Sequence, residues 1–166
     1  MPTLWTTPTT MTQYKEYENH IDWTNISAVS FPDNNAARTV KPLLHIAVSR
    51  DNNIKMKTAY LQCTGFNFTF VPNPISGIEL KVEINRTGRI TDSLVQLTLN
   101  DEPVGENYAE LNRFVSVYGG ETDLWGTSLT SELINSTFGV VLRYQSHPYF
   151  PHNCSPYIES VQLRLW

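Results

Sequence analysis

Few residues in this 166-residue chain could carry out chemistry, and their spacing matches no catalytic pattern. A Ser or Cys nucleophile needs a His that is held by a carboxylate, and the sequence contains no G-x-S-x-G elbow and no Cys/His signature. Glu79 and Glu83 share one face of a predicted strand, as a glycosidase pair might, but Lys81 lies between them and indicates a solvated exterior. We therefore predict that the protein is not an enzyme.

Metal ligands and thiols give an equally weak signal. His147, His152 and Cys154 share a Pro-rich loop, but their spacing matches no zinc pattern and a structured loop is favoured. Carboxylates near turns lack the alternating order of an EF-hand calcium loop. Cys63 and Cys154 are favoured as free thiols, because two cysteines about 90 residues apart do not make a disulfide framework. No metal and no cofactor are predicted.

Large aromatic and aliphatic side chains in the N-terminal segment, in loops and at strand ends are the remaining functional candidates. Such side chains are typical of partner contacts. The predicted partner-binding residues are Leu4, Trp5, Tyr14, Tyr17, Trp125, Tyr149 and Phe150. Tyr118, Trp125, Tyr149 and Phe150 would alternatively stack on sugar rings, although Trp125 is favoured as a plug that closes one end of the fold.

Charge and hydropathy exclude two classes of partner. The net charge is -4, and the chain contains no Lys/Arg cluster beyond the spaced Lys55 and Lys57, so nucleic acid is not an expected partner. No stretch approaches the roughly 20 apolar residues of a membrane span, and the N-terminus lacks the features of a secretory signal. We expect no membrane contact.

Period-two alternation of apolar and polar residues predicts strands along most of the chain. It is clearest at residues 78–85, where Ile78, Leu80, Val82 and Ile84 alternate with polar residues. Further strands are predicted at 44–48, 94–99, 113–118, 138–144 and 157–165. Because no βαβ alternation is present, the pattern predicts an all-β, antiparallel, jelly-roll-like β-sandwich.

Three local features refine this prediction. Phe66, Phe68 and Phe70 alternate in GFNFTFV and are predicted to form the centre of the core. A change of parity within residues 54–63 predicts a bulged strand. Residues 130–135 predict one short helix, which Thr130 can cap.

The organisation predicted for the chain is an arm followed by a body. Residues 1–20 are rich in Thr and predict an extended arm whose conformation is set by whatever it lies against. Residues 21–166 predict one β-sandwich domain. Deletion of the arm is expected to abolish partner binding and to leave the fold intact.

Several local phrases also follow one another in a distinctive order. The most specific are Tyr118-Gly119-Gly120, Asp123-Leu124-Trp125-Gly126, Ile134-Asn135 and Phe138-Gly139-Val140. From about Trp23 to the C-terminus, the order resembles a β-sandwich family found in tailed-phage virion proteins. The loop at residues 85–89 is shorter than the basic, Ala/Ser-rich loop of that family, so loop-borne functions are not carried over.

The resemblance implies a structural role in a phage particle and brings no catalytic residues. One sandwich with a short arm favours a capsid decoration or cement protein on the phage head surface, assembled in the host cytoplasm. The expected partners are the major capsid protein and further copies of the chain in a homotrimer. The alternative is a carbohydrate- or receptor-binding module of a phage tail.

Overall fold

The computed structural model describes residues 1–18, 20–30, 36–39, 45–48, 52–55, 57–87, 90–109, 116–146 and 155–166. Most of these residues lie in antiparallel strands, which confirms the predicted all-β class. The helices in the described part are two short 3₁₀ segments, Ile26–Ser30 and Ser131–Leu133. The second was predicted and the first was not. The Thr130 side chain makes no capping hydrogen bond to the second one.

Two five-stranded sheets form the sandwich. Sheet I has the strand order β1 (Thr10–Tyr14), β6 (Tyr60–Thr64), β11 (Gly139–Ser146), β8 (Ile90–Leu99) and β9 (Glu102–Val104). Sheet II has the order β10 (Val117–Gly120), β7 (Ile78–Thr87), β12 (Ser155–Leu165), β3 (Ala37–Thr39) and β2 (Trp23–Thr24). A separate hairpin pairs β4 (His45–Val48) with β5 (Asn52–Lys55). From β6 onward, consecutive strands mostly lie in different sheets, which is the jelly-roll-like feature of the fold.

The core lies between the sheets and follows the predicted alternation. Ile78, Leu80 and Val82 of β7 are fully buried, and their polar neighbours in the strand face outward. Alternate residues of the other long strands complete the same apolar cluster. In β7 and β12 the alternation is visible in the sequence because each of these strands has one face in the core and one more exposed face.

The prediction that Phe66, Phe68 and Phe70 form the centre of the core is wrong. Strand β6 ends at Thr64, and Gly65 follows with a left-handed φ of +71°. The backbone is then not in a strand until Ile78. Phe66 is buried, but Phe70 is 45% exposed. The three rings would share a face only on an extended backbone, and this backbone turns between Phe66 and Phe68, where the Phe68 N–H donates to the Phe66 carbonyl at 3.1 Å.

The predicted bulged strand across residues 54–63 is also wrong, because β5 and β6 are separate strands with different partners. The change of parity marks the interval between them. Register shifts occur instead at Ser93 of β8, opposite Arg143 and Tyr144 of β11, and at Glu159 of β12, between Ile158 and Ser160. Each interrupts a long strand pair, which allows a long strand to bend.

The N-terminal segment hydrogen-bonds to both sheets. The backbone N–H of Thr3 donates to the Leu165 carbonyl at 2.8 Å, and the backbone groups of Thr6 and Leu163 pair in both directions at 2.9 Å. The chain then crosses to sheet I, where β1 pairs with β6 along its whole length. The surface against which residues 3–14 lie is therefore the protein's own body. The boundary between residues 20 and 21 stays a prediction.

Candidate contact surfaces

Trp125 closes one end of the sandwich from the inside. Its side chain is fully buried, its Nε1–H donates to the Ile78 carbonyl at 3.0 Å, and its ring contacts Tyr108 edge to face at 4.4 Å. A carboxylate oxygen of Asp123 accepts hydrogen bonds from the Trp125 backbone N–H and from the Tyr108 hydroxyl, both at 2.8 Å. The favoured interpretation as a plug is confirmed. The hypothesis that Trp125 is a surface contact or sugar-stacking residue is wrong, and Tyr118, another sugar-stacking candidate, is also buried.

The described residues contain neither an accessible cysteine nucleophile nor a metal-binding group of side chains. Cys63 is a free and fully buried thiol, and burial raises its pKa to about 12. No group of three His, Cys, Asp or Glu side chains among the described residues could hold a metal ion. The predicted contact residues Tyr149 and Phe150 lie outside the described residues, as do His147, His152 and Cys154.

A first aromatic cluster lies on the outer face of sheet II. The guanidinium carbon of Arg164 lies 4.6 Å from the ring centre of Trp5 and 4.7 Å from that of Trp166. Glu79 accepts a hydrogen bond from Arg164 Nε at 2.7 Å and from Trp166 Nε1 at 3.3 Å. We call Trp5, Glu79, Arg164 and Trp166 the indole cluster. Its cation is shared between two indole rings and one carboxylate, which holds both rings in place.

Local pairing explains why these side chains meet. Leu163 and Leu165 of β12 point into the core, so Arg164 between them points outward, opposite its register partner Glu79 of β7. Because Thr3 and Thr6 pair with the end of β12, Trp5 is held beside the same strand. Leu4, the residue before Trp5, is 77% exposed. The structure therefore brings the predicted contact residue Trp5 into a defined surface with an exposed neighbour.

A second aromatic cluster lies on the outer face of sheet I. The rings of Tyr14 and Tyr60 stack at 4.7 Å with an interplanar angle of 19°, in keeping with their register in the β1–β6 pair. The Arg143 guanidinium carbon lies 4.3 Å from the Tyr60 ring centre. We call Tyr14, Glu16, Tyr60 and Arg143 the tyrosine cluster. Its three stacked groups, Tyr14, Tyr60 and Arg143, come from the adjacent strands β1, β6 and β11.

Hydrogen bonds fix the charges in the tyrosine cluster. Arg143 Nη1 donates to the Tyr60 hydroxyl oxygen at 2.5 Å and to Glu16 at 3.2 Å, while the Tyr60 hydroxyl donates to Glu16 at 2.9 Å. The bond from Tyr60, supported by Arg143, lowers the pKa of Glu16. Burial and the Glu16 carboxylate raise the pKa of Tyr60 to about 12. At neutral pH the carboxylate is charged and the phenol is protonated.

The remaining predicted contact residue, Tyr17, lies close to this second cluster. Its side chain is largely exposed and contacts His20 edge to face at 5.3 Å. Burial lowers the pKa of His20, which favours the neutral imidazole. The four N-terminal candidates thus divide between two faces, with Leu4 and Trp5 at sheet II and Tyr14 and Tyr17 at sheet I.

Sequence reasoning missed the partners that complete both clusters. Arg164 and Trp166 belong to the closing alternation of β12, which indicates that they point outward but not what they meet. Tyr60 and Arg143 are about 80 residues apart in sequence and meet only through the order of strands in sheet I. No short-range pattern carries that information.

Comparisons with protein families, with curated proteins and with solved structures find no match. Among the described residues, no helix has the length and apolar character needed to cross a membrane.

Proposed function

We propose that this protein is a non-enzymatic structural protein of a tailed-phage virion, and within that class a capsid decoration protein that binds the major capsid protein on the head. The observation that supports contact as its mode of action is the indole cluster with the neighbouring exposed Leu4. The phage context is supported by the order of sequence phrases. A homotrimer on the head lattice belongs to the same proposal.

The chemistry of the indole cluster suits a protein partner. Trp and Arg side chains carry a large share of the binding energy at many interfaces, above all where they are held rigid before binding. Arg164 is already paired with Glu79, so a partner needs no opposite charge to meet it. An apolar side chain of the partner that covers Leu4 and the two indoles removes apolar surface from water at a small entropic cost.

Such a role needs no catalytic centre. A protein that binds the assembled shell, and not its separated subunits, stabilises the shell by mass action. Many moderate contacts spread over one face are sufficient, and each copy acts alone or as part of a trimer. This is why a rigid sandwich with an aromatic face suits the proposed function better than a deep cleft would.

Location and copy number in intact phage particles test the phage role. A decoration protein is expected on the head lattice, in a number comparable with that of the major capsid protein, by quantitative mass spectrometry and electron microscopy. A few copies at the tail would contradict the decoration role and would support the alternative, a carbohydrate- or receptor-binding module of the tail. Absence from the particles would overturn the virion proposal.

A pair of leucine variants tests the contact surface. Leu4→Asp is expected to weaken binding to particles that lack the protein, because it places a charge where apolar contact is proposed. Leu133→Asp is the matched control, since Leu133 is also an exposed leucine but lies in the second 3₁₀ helix. Equal binding by the two variants would contradict the proposed role of the indole cluster.

A further inference from the structure

We infer that the outer face of sheet I at the tyrosine cluster is a binding site for a neutral sugar ring of an oligosaccharide. The inference stands on the geometry of sheet I and does not require the phage role. Its platform is Tyr14, whose ring is stacked on Tyr60 and is still 42% exposed. Tyr60 is in turn covered by Arg143, so the stack has three layers and is rigid before a ligand arrives.

Polar side chains continue from this platform along the same face. Thr10, Thr12 and Tyr14 of β1 alternate with Met11, which packs against the core, so the two threonines face outward with the tyrosine. Gln62 of β6 lies opposite Thr12 in the register. Gln62 itself is buried. The exposed hydroxyls of Thr10 and Thr12 thus stand beside an exposed aromatic ring, and a hydroxyl group and a ring face are two kinds of contact that a sugar uses.

The turn between β8 and β9 leans over this face and supplies acceptor oxygens. Asp101 in that turn accepts a hydrogen bond from Gln62 Nε2 at 2.9 Å, although β11 lies between β6 and β8 in the sheet. Burial raises the pKa of Tyr14, and the next cause is the nearby Glu102 carboxylate. Tyr14 and the turn therefore border one shallow surface. Asp101 in the turn and Glu102, the first residue of β9, are exposed, and their carboxylates can accept hydrogen bonds from sugar hydroxyls.

The charges favour a neutral ligand over an anionic one. Glu16, Asp101 and Glu102 bring three carboxylates to this region, whereas its cation Arg143 is mostly buried and is hydrogen-bonded to Glu16, Tyr60 and Ser93. A phosphate or a uronic acid would meet net negative charge. A pyranose instead offers C–H groups to the Tyr14 ring and hydroxyls to the carboxylates, and a tyrosine side chain loses little entropy when it binds.

The test uses isothermal titration and saturation-transfer NMR with cellohexaose, maltohexaose, a galactan fragment and an N-acetylglucosamine oligomer as neutral probes. Polygalacturonate fragments serve as the anionic probe. We expect at least one neutral probe to bind with Kd near or below about 1 mM and to perturb the Tyr14 ring signals of the wild-type protein. No binding by the neutral probes, or binding by the anionic probe alone, would overturn the inference.

Variants locate the site. Tyr14→Ala is expected to weaken binding by about tenfold or more, equivalent to about 1.4 kcal/mol, whereas Tyr14→Phe keeps the ring face and most of the affinity. Phe70→Ala is the matched control, because Phe70 is an aromatic residue of similar exposure outside the sheets. Far-UV circular dichroism checks folding. If Tyr14→Ala does not fold, perturbation of the Tyr14 ring signals in the wild type decides. If Tyr14→Ala binds the neutral probes with unchanged affinity, or if Phe70→Ala loses as much affinity as Tyr14→Ala, the binding site does not lie at the tyrosine cluster.

Discussion

The tryptophan side chains of this protein occupy two different environments, the buried core and the outer face of sheet II. Trp125 is fully buried, and its indole N–H is satisfied by a backbone carbonyl of β7. Trp5 and Trp166 are half-buried and lie on either side of a guanidinium on the outer face of sheet II. The first position contributes to the stability of the fold, and the other two leave part of their ring surface accessible to solvent.

Removal of the Trp125 side chain is therefore expected to destabilise the protein. Trp125→Ala leaves a cavity at the end of the sandwich and removes the hydrogen bond to the Ile78 carbonyl, and should lower the free energy of unfolding by about 3–5 kcal/mol. Urea denaturation followed by far-UV circular dichroism measures the change. Trp5→Ala is the control, with an expected loss of about 1 kcal/mol or less. Equal losses would contradict the division into plug and surface residues.

At the scale of single residues, the interpretation of Trp125 as a plug rested on its large ring and its place in a loop or at a strand end. The sequence did not reveal that the backbone leaves the extended conformation after Thr64, so that Phe66 is buried and Phe70 is exposed. Tyr14 was identified as a contact residue by its type alone. The Tyr60 ring and the Arg143 guanidinium that support it depend on strand register, which a single sequence does not display.

At the scale of elements, the strands with one buried face were the most predictable. β7 and β12 alternate over most of their length, and the sequence pattern gave their positions closely. β11 is different, because every residue of this strand is buried on both faces and its pairing with β6 and β8 follows from position in the sheet. Gly139 begins this strand and allows it to approach β6 closely.

Gly139 provides a test of that close approach. A Cβ atom at this position would lie 1.9 Å from the Cys63 carbonyl oxygen, which is backbone and cannot rotate away. Gly139→Ala is expected to lower the free energy of unfolding by more than about 2 kcal/mol, because β11 and β6 must separate. Gly120→Ala is the matched control, since a Cβ there meets nothing within 4 Å. Thermal unfolding of both variants measures the difference, and similar midpoints would refute the explanation.

At the scale of the whole molecule, the class was predictable and the strand order was not. Alternation, turn residues and the lack of helical periodicity were enough to indicate an antiparallel sandwich. The arrangement of β11 between β6 and β8 depends on contacts between distant parts of the chain, as does the pairing of residues 3 and 6 with the last strand. These contacts make the N-terminal segment part of both sheets.

Deletion of residues 1–20 tests whether the segment is an independent arm. We expect the truncated protein to lose more than about 3 kcal/mol of unfolding free energy, because β1 and the bonds of Thr3 and Thr6 are removed together. Cys63 faces Met11 of β1 in the register, so its buried thiol should also react faster with a disulfide reagent.

The rate of this thiol reaction is measured in a Cys154→Ser background, so that Cys63 alone reports. Deletion of Met1 and Pro2 is the control, because it leaves the hydrogen bonds of Thr3 in place. An arm that only reaches out to neighbours would leave both stability and thiol protection unchanged when residues 1–20 are removed. In that case a loss of particle binding by the truncated protein would report on the contact surface. If the truncated protein is instead destabilised, its loss of particle binding would reflect impaired folding. The Leu4→Asp variant then tests whether the contact surface binds the particle.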